Sequence, residues 1–307
     1  MKGFVTIATG NERYYKMALN LLHSYRMHTS NPMPFALIAE ENNEYTEEFD
    51  TVIIMNSPTR SYMDKLCLYD YIPFDEVIFV DADSLAYSDL NEWWDYFSLG
   101  SDFSGFGMCW EVEAGQGWFD PNNIGEYSGK VPFVPALQGG VYYLRKTDTC
   151  YKVFELAKTI AANYFDYGWT GFTDTPADEP ILALSMAIHN CRSIMNMPSE
   201  GFSHVCNFPK PRDLSADIDS GTLFYNSNGK QYTGELIHWG NKRTRYSMYC
   251  FEVEKMEKVI NAENRGIVYF LLYNCKIRYY ILAIKDLKYF MERAKRRIEW
   301  VSKKYKK

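Results

Sequence analysis

The residues Val77-Ile78-Phe79-Val80 run without interruption into Asp81-Ala82-Asp83-Ser84. An unbroken β-branched and aromatic run reads as a strand buried on both faces, and such strands belong to parallel sheets covered by helices. The acidic pair then falls at the strand's carboxyl end, where open α/β sheets bind their ligands. The flanking sequence agrees. Phe4–Ala8, Phe35–Ala39 and Thr51–Met55 read as further strands. A helix opens at Asn11 or Glu12 and carries Ala18, Leu21, Leu22 and Tyr25 at helical spacing. Asp64–Tyr71, Thr149–Ala162 and Pro176–Ile188 read as helices, and Gly139–Leu144 and Glu235–Trp239 as strands. Alternating strands and helices define an α/β fold around a single mixed, mostly parallel sheet flanked by helices.

Two stretches, Glu111–Val131 and Pro209–Gly229, are rich in Gly, Asn, Asp and Ser and read as loops. Ile277–Val301 contains neither Gly nor Pro and reads as a helix. The simplest division is a catalytic domain over 1–262 and a basic, aromatic helical extension over 263–307. Charge divides the same way: 12 Lys/Arg against 3 Asp/Glu from Lys276 to Lys307, and 21 against 36 in the rest of the chain. An acidic body argues against a nucleic-acid partner. The seven cysteines are scattered, with no C-x-x-C pair, and read as reduced thiols rather than a disulfide frame or zinc site. No run approaches the ~18 apolar residues of a membrane span, so a cytoplasmic location is expected. No G-x-G-x-x-G follows the first strand and no G-x-x-x-x-G-K-S/T occurs, which excludes the Gly-rich modes of dinucleotide and ATP binding.

Two carboxylates with one residue between them can grip a hard divalent ion, Mn²⁺ or Mg²⁺, which in turn neutralises a nucleotide diphosphate. A second match, Asp217-Ile218-Asp219, lies in a polar stretch and reads as a turn.

Several separated segments share one pattern. Phe4-Val5-Thr6-Ile7-Ala8-Thr9 is followed by Tyr14-Tyr15-Lys16. Asp64-Lys65-Leu66 precedes the acidic strand, and Asp81-Ala82-Asp83-Ser84-Leu85 ends it. Leu137-Gln138-Gly139-Gly140-Val141, Asp178-Glu179-Pro180-Ile181-Leu182 and Ile237-His238-Trp239-Gly240-Asn241-Lys242 follow in that order. Together they resemble glycosyltransferase family 8, which includes glycogenin and bacterial lipooligosaccharide galactosyltransferases. The resemblance implies a glycosyltransferase-A fold, a nucleotide-sugar donor, Mn²⁺ and retention of anomeric configuration. It also implies roles. The strand-end backbone around Thr6, Ala8 and Thr9, together with Tyr14 (or Tyr15, since the turn is one residue longer here), holds the nucleoside. Lys65 and Ala82 contact the donor. Asp81, Asp83 and His238 bind the metal, and Gly240 and Lys242 bind the diphosphate, with Arg243 and Arg245 sharing that task. Gln138 lies near the donor sugar in the place of the family's Asn. Asp178 holds sugar hydroxyls, and Glu179, ionisable where the family has Gln, serves as a nucleophile, an ion-pair stabiliser or an orienting group. The segment after His238 is compressed and lacks the family's Pro-Trp.

The expected reaction moves a hexose from a nucleoside-diphosphate sugar, UDP-linked, to the hydroxyl of a glycan or lipid-linked acceptor. Alternatives are a sugar-nucleotide pyrophosphorylase, against which the glycine-poor Asn11-Glu12-Arg13 counts, and a non-catalytic carbohydrate-binding relative. No tyrosine is singled out as the acceptor of a self-glucosylating primer. In the extension Tyr279, Tyr280, Ala283, Leu287, Phe290, Met291 and Ala294 can share a broad helical face, and Lys285, Lys288, Arg293, Lys295, Arg296 and Arg297 populate much of the remainder, with Trp300 and Tyr305 flanking. That pattern suits either a peripheral helix on an anionic membrane or a helix packed on the catalytic domain.

Overall fold

The computed structural model describes residues 1–114, 119–169, 176–210, 213–261, 267–287 and 291. Its strands are β1 (Lys2–Ala8), β2 (Phe35–Ala39), β3 (Thr51–Ile54), β4 (Glu76–Val80), β5 (Ser84–Ala86), β6 (Phe103–Trp110), β7 (Val134–Arg145), β8 (Ile194–Met195), β9 (Phe202–Asn207), β10 (Leu214–Asp217), β11 (Thr222–Ser227) and β12 (Lys230–His238). The helices are α1 (Glu12–His28), α2 (Leu68–Tyr71), α3 (Trp93–Ser98), α4 (Asp148–Ala162), α5 (Asp178–Ile188) and α6 (Ser247–Ile260).

A seven-stranded sheet runs in the order β3-β2-β1-β4-β7-β6-β8. Strands β3, β2, β1 and β4 are parallel, β7 is antiparallel to both its neighbours, and β8 is parallel to β6. This is the mixed, mostly parallel, helix-flanked sheet expected from the sequence. Side chains alternate across it, as the two-residue period of a strand requires. Phe4, Leu37, Ile78 and Tyr143 enter one core with Leu21, Leu22 and Trp93. Val5, Ile38, Phe79 and Tyr142 enter a second core with α4 and α5, through Val153, Phe154 and Ile181. Burial on both faces explains why these strands are almost continuously apolar.

Beside this sheet stands a smaller one that the sequence reading does not contain, in the order β10-β11-β12-β5 with β9 added beside β12. Much of it comes from Pro209–Gly229, expected as a loop. The polar residues there are of two kinds. Some occupy the open face of β10 and β11, where Ser215, Phe224 and Asn226 are exposed while Leu214, Ala216, Leu223 and Tyr225 are buried. Others form turns, including Asn228-Gly229, both at positive φ, between β11 and β12. Asp217 thus ends a strand, but its carboxylate accepts from the N–H of Asp219 at 3.0 Å, which is the turn role expected of it.

After α6 the described part of the extension comprises Ile267–Tyr269, a wider turn over Phe270–Asn274 and a helix over 277–287. It packs on α6 through Phe251, Tyr269, Tyr273 and Leu282, and Arg278 pairs with Glu254 at 2.6 and 2.7 Å. The boundary at 262–263, the loop residues Gly115 and Gly117, and Lys288, Phe290, Arg293, Ala294, Lys295, Arg296, Arg297, Trp300 and Tyr305 lie outside the described residues. Among the described residues no helix is long and apolar enough to cross a membrane.

Candidate metal and nucleotide site

The short strand β5 follows the Asp81–Asp83 turn directly and pairs antiparallel with the end of β12, His238 opposite Ser84. The Trp239 N–H donates to the Asp83 carbonyl at 3.0 Å, closing the pairing. On the other side, the Asp81 N–H donates to the Gly140 carbonyl at 2.9 Å, which fixes the acidic turn against β7. These three strands bring Asp81, Asp83 and His238 together, with one ligand atom from each lying within 4.8 Å of the others. His238 Nε2 is 3.4 Å from Asp81 Oδ2 and 3.2 Å from Asp83 Oδ1.

The histidine's other nitrogen, Nδ1, lies 3.0 Å from the Asn207 side-chain oxygen. As a donor there it leaves Nε2 directed at the carboxylates, the orientation a metal-binding imidazole needs. Close approach depends on the paired glycines of β7. A Cβ on Gly140 would lie 2.6 Å from His238 Nδ1, and one on Gly139 would lie 2.7 Å from Glu179 Oε1. Two carboxylates and one neutral imidazole are a suitable donor set for Mn²⁺ or Mg²⁺. Burial disfavours the His238 imidazolium, but Asp83 and Asp81 outweigh it and raise its pKa. Burial raises Asp81, whereas His238 holds Asp83 down against its own burial.

Lys65 stands behind this triad. Its ammonium donates to Asp81 at 2.8 Å and to the Gly139 carbonyl at 2.9 Å, and lies 3.2 Å from Asp178. Burial opposes its charge, yet Asp178 and Asp81 hold it well above the usual lysine range. Asp178 opens α5 but does not cap it. The cap position is Ala177, and the Asp178 carboxylate instead accepts from Tyr142 Oη at 3.0 Å. Glu179 is pushed up to about 7, first by burial and then by Asp178. Gln138, two residues before Gly140 on β7, has its Oε1 buried with no hydrogen-bond partner among the described residues.

A cleft of about 270 Å³ opens beside Asp81, Ala82 and Asp83. Of the residues expected to hold the nucleoside, Thr9 and Tyr14 line it. The side chains of Thr6 and Ala8 are buried, and strand alternation places Ile7 on the cleft instead. Tyr15 is buried too; its hydroxyl accepts from the N–H groups of Glu40 and Glu41, so Tyr14 is the tyrosine that faces the cleft. Gly240 and Lys242 lie on the turn after β12, with the Lys242 side chain exposed.

Four residues of the site went unread in the sequence. Asp64 is 3% exposed and accepts from the Thr9 hydroxyl at 2.8 Å and from Thr59 N–H at 2.6 Å, bracing the cleft floor. Asn207, Asn241 and Arg13 are the others. Nothing local marks them, because their partners lie far off in sequence.

No family model matches the chain, and no curated protein matches it in sequence. Solved structures do. The galactosyltransferase LgtC, in complex with donor and acceptor sugar analogues, matches with a TM-score of 0.54 at 13% identity, covering 88% of this chain and 99% of that one. An active-site mutant of LgtC matches at 0.53 and 14% identity, over 85% and 96% of the two chains. At such identities the likeness is one of fold. The chain has the glycosyltransferase-A fold, and its resemblance to family 8 holds at the level of structure.

Proposed function

We propose that the protein is a metal-dependent glycosyltransferase that moves a hexose from a nucleoside-diphosphate sugar to an acceptor hydroxyl with retention. The observation that carries this reading is the convergence of Asp81, Asp83 and His238 at the edge of the cleft lined by Thr9 and Tyr14. Asp81, Asp83 and His238 would hold Mn²⁺ or Mg²⁺, which when bound supplies charge neutralisation for the diphosphate. The protein's own groups do the rest. Lys65 keeps Asp81 oriented and Asn207 keeps His238 in one tautomer. Lys242, Arg243 and Arg245 offer positive charge to the leaving diphosphate. Gln138, Asp178 and Glu179 adjoin the β7 edge of the site, where the transferred sugar would lie. In the transfer the bond from the anomeric carbon to the diphosphate breaks and one to the acceptor oxygen forms. The hydroxyl proton passes to the departing phosphate oxygen. LgtC, whose structure with donor and acceptor analogues shares the fold, supports the reading by analogy.

A panel of nucleotide sugars, each tested with and without Mn²⁺, checks it by thermal stabilisation and by slow donor hydrolysis. At least one donor should stabilise the protein in a metal-dependent way and be turned over. No metal-dependent response to any of them would sink the proposal. Formation of a nucleoside triphosphate from nucleotide sugar and pyrophosphate would assign a pyrophosphorylase instead.

The acceptor side of the proposal is a lipid-linked or surface glycan met at an anionic membrane. Val268, Phe270, Leu271, Tyr280, Ile284 and Leu287 stand exposed on the described part of the extension, and the basic sequence continues beyond it. Each basic residue near such a surface adds about 1 kcal/mol. The full chain should co-sediment with anionic liposomes at low salt and be released as salt rises. Recovery in the supernatant with anionic liposomes at low salt would leave the extension a packed helix only.

A further inference from the structure

The turn that follows His238 is held from across the molecule. Arg13, in the first turn of α1, donates from Nη1 to the side-chain oxygen of Asn241 at 2.6 Å and from Nη2 to the Asn241 carbonyl at 2.6 Å. The same Nη2 reaches the Thr244 hydroxyl, which itself donates to the Asn241 carbonyl at 2.8 Å. The Asn241 amide nitrogen donates to Tyr14 Oη at 2.6 Å. Two successive residues of one helix therefore grip both ends of a single amide 228 and 227 positions away. Tyr14 and Asn241 also line the cleft beside Asp81 and Asp83.

Both terminal nitrogens of the guanidinium are engaged by protein acceptors, so Arg13 is placed to hold the turn rather than to bind a phosphate itself. Burial and then Arg245 lower its pKa, while Tyr14, Tyr249 and Asp83 oppose them. The turn Arg13 holds is compressed relative to the pattern it resembles and lacks that pattern's Pro-Trp. Arg13 adds an anchor from outside to a turn that the Arg243 and Thr244 N–H groups close on the Gly240 carbonyl.

We propose that Arg13 is a positioning residue: through Asn241 it locks the Gly240–Arg245 turn to the Tyr14 end of the cleft and so fixes the spacing between the nucleoside and diphosphate ends of the donor. The proposal rests on the reading of the cleft as a nucleoside-diphosphate site. It predicts a loss that charge alone does not repair. A lysine ammonium cannot span the acceptors that the planar arginine fork reaches together.

The test compares the full chain with Arg13→Lys, Arg13→Ala, Asn241→Ala and the Arg13→Ala/Asn241→Ala double variant. Each is titrated with UDP and with uridine in the presence of Mn²⁺. Arg13→Lys and Arg13→Ala should both weaken UDP by roughly tenfold or more, with a much smaller effect on uridine. The double variant should lose no more than either single one. Restoration of UDP affinity by lysine would overturn the proposal in favour of direct phosphate contact, and additive losses would show that the two residues act separately. A second readout needs no nucleotide. The Arg243 and Thr244 N–H groups close the turn onto the Gly240 carbonyl at 2.8 and 3.4 Å. In unliganded Arg13→Lys their hydrogen exchange should quicken by roughly tenfold. Unchanged protection would refute the clamp even if the wild-type protein bound no UDP, whereas lost protection with no UDP binding would sink only the reading of the cleft.

Discussion

Asp83→Ala is expected to lower metal-dependent donor turnover by about 10³-fold while leaving the fold intact. The two aspartates differ in what else they do. Asp81 is tied to Lys65 and, through its N–H, to Gly140, so its removal leaves a buried ammonium with Asp178 as its remaining carboxylate. Asp83 faces His238 and the cleft, and its structural contact is made by its backbone carbonyl to Trp239, which alanine retains. Its side chain can therefore be removed with little cost to packing, and the effect falls on the cation. Calorimetric titration with Mn²⁺ in the presence of UDP, alongside turnover and melting temperature, separates the two. Asn207→Leu should give a graded version of the same effect. It frees the imidazole's orientation without removing a ligand, and loss of such a supporting partner typically costs about 10–100-fold in metal affinity. Near-normal Mn²⁺-dependent turnover in Asp83→Ala would show that the triad is not the metal site.

Glu179→Gln is expected to stabilise the protein above neutral pH, to flatten the pH dependence of activity between about 6 and 8, and to retain most of the turnover. The carboxyl is held at about 7 in the fold, mainly by burial and next by Asp178. In the unfolded chain it titrates in the ordinary glutamate range, near 4.3. Because the folded pKa is the higher one, the folded state binds the proton more tightly. The stability that comes with the protonated form is complete below the unfolded pKa and is lost as pH rises through about 7. Glutamine removes that loss. The advantage of the variant should grow from near zero around pH 4.5 to roughly 3–4 kcal/mol at pH 8, or several degrees and more in melting temperature. Glu252, also raised to about 7 by burial, has the same sign but is present in both proteins and cancels in the comparison. Under the proposed function turnover should survive, because the family that the chain resembles has an amide here and an amide suffices to orient a donor sugar. A fall of several orders of magnitude in Glu179→Gln would instead make this carboxylate the nucleophile of a double displacement. A pH-independent stability difference would mean that the carboxyl is not buried beside Asp178 as described.

The sheet and the acidic motif were legible for the same reason. Strands β1, β2 and β4 are buried on both faces, so their sequence is almost continuously apolar and stops sharply where the chain leaves the sheet. Asp81 and Asp83 stood out because charge follows such a run without a gap. The second sheet was not legible. β10 and β11 bury one face only, and across 209–229 the turn residues outnumber the apolar ones, so composition spoke for a loop. β9 carries Ser203, His204 and Asn207 in a strand that burial against β12, not its own residues, defines.

In the first strand the sequence marks a segment without fixing which side chains face the cleft. Thr6, Ala8 and Thr9 all belong to the chain near the cleft. Only the pleat decides that Ile7 and Thr9 face it while Thr6 and Ala8 turn into the core. Tyr14 and Tyr15 were likewise indistinguishable by spacing until the fold engaged the Tyr15 hydroxyl with Glu40 and Glu41.

By itself the sequence determined the alternation of strands and helices, and placed a carboxylate pair at a strand end and a histidine beside a glycine and a basic cluster. Local periodicity and side-chain chemistry suffice for those features, because each is written within a few consecutive residues. Only the tertiary structure decided that Asp83 and His238 meet. Their meeting depends on the pairing of β5 with β12, on two glycines of β7 leaving room for the imidazole, and on Asn207 holding its far nitrogen. Those contacts join four segments far apart in the chain, and no local pattern records which distant segments will share a hydrogen bond.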